Sequence, residues 1–266
     1  MLEANGSALE AVTHAVIELE NTPLFNAGRG SVFTYDGKHE MDASVMNGKN
    51  GLAGAVAGVR NVKNPVLLAN AVMEHTDFVF LHGSGAEELA RVQQLTFCDD
   101  QYFFDDFRYQ QWQEVKGSDT TKLDHSNEKK FGTVGAVAKD IEGNLAAATS
   151  TGGMTNKRYS RIGDTPVIGA GTYANNSTCA VSCTGHGEYF IRSVVAYDIH
   201  CLMEYNGLSL KEACEKVVLD KLVKSGGEGG IIAIDQTGVP QLIFNSEGMY
   251  RGYYCCNEQP VTEIYR

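Results

Sequence analysis

Thr133 and Thr151 bracket the stretch TVGAVAKDIEGNLAAATST, two runs of small apolar residues separated by the five residues Asp140 to Asn144. Five residues is a common hairpin loop length. Setting Lys139 against Leu145 and stepping outward brings Thr133 opposite Thr151, with Cβ atoms about 5 Å apart. A slip of one residue would send the two hydroxyls to opposite faces. As plain structure, this is a cross-strand threonine pair of the kind that ordinary sheets contain. As chemistry, Thr133 opens its strand after Gly132 and a polar segment, so breaking the Gly132–Thr133 peptide would make it a chain terminus. A threonine hydroxyl is a poor nucleophile alone, but an α-amino group on the same residue, with pKa about 8, can take its proton near neutrality. One residue then supplies nucleophile and base.

The surrounding elements are legible from periodicity and caps. SALEAVTHAVIELE, residues 7–20, repeats Leu9, Val12, Val16 and Leu19 at helical spacing, with Ser7 and Glu10 as a capping box. SVFTYDGKHEMDASVM predicts a hairpin turning at Asp36-Gly37. NPVLLANAVMEHT and GAEELARVQQL resume the helical period. Between them, Gly83 and Gly85 lack the lysine and third glycine of a phosphate loop, which leaves a tight strand-to-helix connection. Residues 105–130 are polar and charged with almost no apolar period, which predicts a mobile linker extending to about residue 132. Beyond it, strands are expected over 133–139, 145–151 and 178–184, and a long helix over 187–205. A second capping box, Ser209 and Glu212, opens a further helix, and two final strands flank a turn at 236–238.

Composition excludes several classes. The 266 residues are 43% hydrophobic and 21% charged, which suits a globular chain read as one domain over 1–266. A net charge of −11 opposes binding to nucleic acid or an anionic membrane. No apolar run approaches the roughly 18 residues of a membrane helix, and MLEANGSALEAV lacks the basic-then-apolar order of a signal peptide. A soluble, cytoplasmic chain is expected. Seven scattered cysteines (Cys98, Cys179, Cys183, Cys201, Cys214, Cys255, Cys256) make no zinc-like pattern and read as buried reduced thiols.

PLFNAGRGSVFT, MDASVM, GTVGAVAKDIEGNLAAATSTGGMTNK, RIGDTPVIGAGTYANN, SCTGHGEYFIR and GGIIAIDQTG together resemble the plant-type L-asparaginase / isoaspartyl peptidase group of N-terminal-nucleophile hydrolases, across nearly the whole chain. The resemblance implies an α+β fold, a four-layer αββα sandwich. It implies a precursor that cuts itself between Gly132 and Thr133 into residues 1–132 and 133–266, and a dimer of the resulting αβ units. It implies hydrolysis of asparagine to aspartate and ammonia, and cleavage of β-aspartyl dipeptides. Thr133 then corresponds to the nucleophile and Thr151 to the threonine that assists it. Arg161 would hold the substrate α-carboxylate and Asp164 the α-ammonium, although an Arg and an Asp three apart are also an ordinary surface ion pair. Thr184 and Gly185 resemble an oxyanion hole, with Gly187 beside the substrate and Asn26 near the active site. No cofactor for catalysis is implied. A structural sodium ion would be held by the main-chain carbonyls of Leu19, Glu20, Thr22, Phe25, Ala27 and Arg29.

Three departures stand out. Members of the group usually begin with a strand carrying His-Gly-Gly ahead of the first helix, and no such motif precedes Ser7 here, so a strand bordering the active site is expected to be missing. His186 stands between Gly185 and Gly187 where a small residue is usual; it either crowds the pocket, adds a titrating group, or points away. Ser160 replaces a common glycine before Arg161. A chain that never matures, or a hydrolase acting on glycosylated asparagine or polypeptide, are the competing readings.

Overall fold

A computed structural model of the chain describes residues 1–118, 120–121, 132–255 and 258–265. In chain order its elements are α1 (Ala8–Glu20), β1 (Met41–Asn47), β2 (Ala53–Val59), α2 (Pro65–His75), β3 (Phe80–His82), α3 (Gly83–Val92), α4 (Asp100–Phe103) and α5 (Asp106–Gln113). These are followed by β4 (Val134–Lys139), β5 (Leu145–Thr151), β6 (Thr172–Ala174), β7 (Cys179–Gly185), α6 (Gly187–Ser193), α7 (Val195–Asn206) and α8 (Leu210–Glu215). The chain ends with β8 (Gly229–Asp235), β9 (Gln241–Phe244), β10 (Gly248–Tyr253) and β11 (Val261–Tyr265).

Two sheets pack face to face. The first has the order β3-β2-β1-β5-β4, antiparallel except for β2 with β3; the second is antiparallel, β6-β7-β8-β9. α1 and α2 cover the outer face of the first sheet, and α7 and α8 cover that of the second, which gives the expected four-layer α+β sandwich. The two helix–sheet cores use larger apolar side chains: Val12, Val16, Leu68, Val72 and Val45 on one side, Phe190, Ile199, Leu210, Leu222 and Ile231 on the other. The seam between the sheets is different. Ala147, Ala174 and Ala180 share it with the buried hydroxyls of Ser44, Thr149, Thr172 and Ser182, which bond to one another across the gap at 2.5 to 2.7 Å. A Cβ on Gly135 would fall 1.9 Å from Ser182 Oγ, so the small residues of β4 and β5 are what lets the sheets approach.

Both capping boxes form as expected, at Ser7 and at Ser209. Three expectations need correction. The turn at Asp36-Gly37 exists, closed by Thr34 N–H to the Lys38 carbonyl at 2.8 Å, but only its second flank is a strand. The first flank gives its backbone to loops instead: Val32 N–H bonds Asn26, the Phe33 carbonyl accepts from Asn156, and Tyr35 N–H bonds the Lys157 carbonyl. β1 therefore pairs with β2 and β5. The stretch expected to be a linker begins as helix: Asp105 caps α5, which buries Arg108 and Trp112, and Trp112 stacks on Phe33 with ring centroids 5.5 Å apart. Residue 119 and residues 122–131 of that stretch lie outside the described residues. The long helix over 187–205 is two helices, broken at Val194 with φ +49°. The first amides of α7, Ala196 and Tyr197, bond the carbonyls of Ala170 and Gly169, so the loop before β6 replaces the turn that a continuous helix would have supplied.

β4 is the last strand of its sheet, with no ladder partner on its outer edge among the described residues. Beside it opens a cavity of about 1020 Å³, walled by β4, by β7 and β8, and by the separate β10–β11 pair, with Leu19 and Phe25 closing it from the α1 side.

Candidate active site

The hairpin of β4 and β5 has the register read from the sequence: Lys139 faces Leu145 and Val134 faces Ser150. Asp140 stitches the loop, accepting from Asn144 N–H at 2.8 Å, and Gly143 takes φ +82°. One step beyond the ladder, the Thr133 hydroxyl donates to Thr151 Oγ1 at 3.1 Å. Thr151 Oγ1 also accepts from Gly153 N–H at 3.0 Å. With both contacts at its oxygen, the Thr151 hydroxyl serves as an acceptor that aims the Thr133 O–H.

Asn26 lies beneath this pair rather than in open space. Its Nδ2 donates to the Gly153 carbonyl at 2.7 Å, its Oδ1 accepts from Val32, and its own carbonyl accepts from Gly152 N–H at 3.0 Å. The side chain expected near the active site thus spends its amide on the Gly152-Gly153 turn and its oxygen on Val32. The turn admits no side chain at its first position, since a Cβ on Gly152 would meet Asn26 Oδ1 at 2.5 Å.

Across the cavity, β7 ends at Thr184 and Gly185, and Thr184 lines the same space as Gly132 and Thr133. The Thr184 hydroxyl oxygen is shielded from solvent and has no hydrogen-bond partner among the described residues. A buried donor left unpaired is costly, so the position calls for an incoming acceptor. Gly185 takes φ +145°, and a Cβ there would fall 2.5 Å from the Glu228 carbonyl, which excludes any other residue.

The charged end of the site is carried by loops. A Cβ on Gly187 would lie 2.8 Å from Arg161 Nη2 and 2.9 Å from Asp164 Oδ1, so one small space above Gly187 is bordered by both groups. Asp164 is 4% exposed, its Oδ2 has no partner among the described residues, and burial pushes its carboxyl up to about 7. Arg161 does not bond Asp164. It is gripped side-on by Glu188, through Nε to Oε1 at 2.7 Å and Nη2 to Oε2 at 2.8 Å. His186 does not line the Thr133 cavity but an outer cleft with Arg161 and Glu188, its Nε2 3.8 Å from Glu188 Oε2. Ser160 sits at φ +50°, a conformation suited to glycine.

Sequence reading missed four residues here. Glu188 follows Gly187 in the first turn of α6, a place where an acidic residue is common for helix reasons alone. Lys157 is buried, with Nζ on the Glu40 carbonyl at 2.8 Å, and packs against Gly153; burial lowers its pKa, while buried Asp42 opposite Thr151 has its own raised. The Glu20 side chain accepts from the Ser150 hydroxyl at 2.6 Å and from Val66 N–H, with burial pushing its carboxyl up to about 7. A lysine and two carboxylates in otherwise apolar or small-residue strings were the available signals.

A family model described as Asparaginase matches residues 1–264. The chain belongs to this asparaginase family. An isoaspartyl peptidase of Escherichia coli is 55% identical over 271 residues, covering all of this chain and 84% of the relative. An isoaspartyl peptidase of Salmonella typhimurium is equally similar, with 87% of its length covered. A probable isoaspartyl peptidase/L-asparaginase of Arabidopsis thaliana is 41% identical over 286 residues, spanning 99% of this chain and 86% of its own. Asparaginase-family membership places the sandwich among the N-terminal-nucleophile hydrolases.

Proposed function

We propose that this chain is a self-processing threonine amidohydrolase that cleaves β-aspartyl dipeptides and hydrolyses L-asparagine to L-aspartate and ammonia. The observation that carries the reading is the Thr133 hydroxyl, held at 3.1 Å on Thr151 Oγ1 in the cavity that also contains the unpaired Thr184 hydroxyl. The names of relatives at 55% identity support the substrate class.

In the first stage Thr133 Oγ attacks the Gly132 carbonyl carbon. The C–N bond breaks as the C–O bond forms, and the hydroxyl proton ends on the freed nitrogen. Water then hydrolyses the ester, leaving residues 1–132 and 133–266. In the second stage the Thr133 α-amine takes the proton from its own hydroxyl, and the oxygen attacks the substrate side-chain carbonyl. Thr184 O–H and Gly185 N–H donate to the developing oxyanion. Ammonia or the leaving amino acid departs with a proton from the α-ammonium, and water releases aspartate. Arg161 and Asp164 hold the α-carboxylate and α-ammonium above Gly187, which leaves no room for a side chain there.

A structural sodium ion would be held in the loop after α1 by the main-chain carbonyls of Leu19, Glu20, Thr22, Phe25, Ala27 and Arg29. The loop is tightly packed at its glycines: a Cβ on Gly28 would lie 2.5 Å from the Glu20 carbonyl oxygen, and one on Gly30 2.0 Å from that of Phe25. Main-chain oxygens of this kind suit a hard cation, which would stiffen the connection to Asn26 and take part in no step. The proposed working form is a dimer of cleaved units acting in the cytoplasm. Separately, no described helix is long and apolar enough to cross a membrane.

Intact-mass measurement after incubation, followed by N-terminal sequencing, tests the first stage: two pieces, the second beginning at Thr133, are expected. Ammonia release from asparagine compared with turnover of β-aspartyl dipeptides and of glycosylated asparagine tests the second, and activity confined to the glycosylated compound would contradict it. One alternative is a scaffold that assembles but never cuts itself. A persistently unbroken chain that still binds aspartate would select it.

A further inference from the structure

We infer that Glu188 is a positioning residue that sets substrate affinity by fixing the orientation of the Arg161 guanidinium; this rests on the reading that Arg161 receives the α-carboxylate. A guanidinium carries five N–H donors in a planar fork, and a carboxylate can engage it from two edges. Glu188 occupies the Nε/Nη2 edge with both of its oxygens. The Nη1/Nη2 edge remains for a ligand. Its direction is further confined by two close backbones: a Cβ on Gly163 would lie 2.8 Å from Nη1, and one on Gly187 2.8 Å from Nη2 and 2.9 Å from Asp164 Oδ1. The guanidinium thus lies against two glycines, with Glu188 as the only side chain among the described residues that hydrogen-bonds it.

Without that grip, a long side chain on the loop between β5 and β6 would be free to swing into the outer cleft, where His186 stands 3.8 Å from Glu188. The ordering cost would then fall on each binding event. Because Glu188 already neutralises one edge, the pair also presents a directed donor fork rather than a diffuse positive charge. Glu188 touches neither the cleaved peptide nor the Thr133 pocket, so its effect belongs to binding and not to bond making.

The test uses cleaved, purified protein carrying Glu188→Ala or Glu188→Gln. For a β-aspartyl dipeptide, Glu188→Ala should raise KM about tenfold with kcat within twofold, and Glu188→Gln, which keeps one acceptor, should fall between it and the parent. For the same dipeptide with its β-aspartyl α-carboxylate amidated, both variants should match the parent, a pattern that simple loss of folding would not give. An unchanged KM, or a KM that falls because Glu188 competes with substrate for Arg161, overturns the inference. Arg161→Ala run alongside separates the two readings: if it leaves KM unchanged, the assignment of Arg161 itself fails. If it raises KM while the Glu188 variants do not, only the positioning role fails.

Discussion

The two halves of the site are built from opposite materials. At the reactive end Thr133, Thr151 and Thr184 are uncharged hydroxyls at strand ends, and sheet register places them. At the recognition end Arg161 and Asp164 lie on a loop and Glu188 at a helix start, three charges arranged by ion pairing and burial. A ladder fixes a hydroxyl to within a fraction of an ångström because a slip costs a whole residue. A loop has no such quantum, so charges there need one another. Chemistry is therefore tied to backbone pairing and selectivity to electrostatics, and each can be perturbed separately.

Removing the nucleophile should give the largest change. Thr133→Ala is expected to leave the chain uncut and lower turnover at least about ten-thousandfold, read by mass and ammonia release. Thr184→Val, which keeps the shape and removes the donor, should lower kcat by about 10² to 10³ with KM nearly unchanged, confining its effect to the reactive end. Asp164→Asn addresses the other end and should raise KM about ten- to a hundredfold with a smaller change in kcat. It also carries a pH signature. The ammonium needs the ionised carboxyl, so affinity should tighten as pH rises through about 7, and the Asn variant should lose that slope.

The same group has a stability consequence of opposite sense. A carboxyl raised to about 7 from its ordinary 3.8 binds its proton more tightly in the folded chain, so its contribution is full below 3.8 and lost as pH rises through 7. Asp164→Asn should therefore raise the ligand-free Tm at pH 8 and change it little at pH 4, measured by thermal unfolding. The smallest effect is expected from Ser160→Gly, which relieves φ +50° next to Arg161 and should stabilise by about 1 kcal/mol.

The reactive half was largely open to sequence reading because it is periodic. Equal runs over 133–139 and 145–151 around a five-residue loop with Gly143 leave one register that pairs the threonines, and the capping boxes mark helix starts directly. The recognition half was visible only as positions. Nothing in the spacing of Arg161 and Glu188 announces a bond across 27 residues, and nothing in FNAGRG shows that Asn26 spends both polar ends on its own scaffold. The break at Val194 escaped for a similar reason: the carbonyls that replace the helical turn come from Gly169 and Ala170, remote in the chain. α5 was hidden because one arginine and one tryptophan, rather than an apolar stripe, form its buried side.

β4, which follows directly on Thr133, is also the margin of its sheet among the described residues. Interior strands share their amides between two neighbours, whereas this one leaves alternate N–H and C=O groups turned toward a hollow. Deuterium should enter the 134–139 backbone sooner than that of β5, so the strand that follows the nucleophile should open more readily than its hairpin partner.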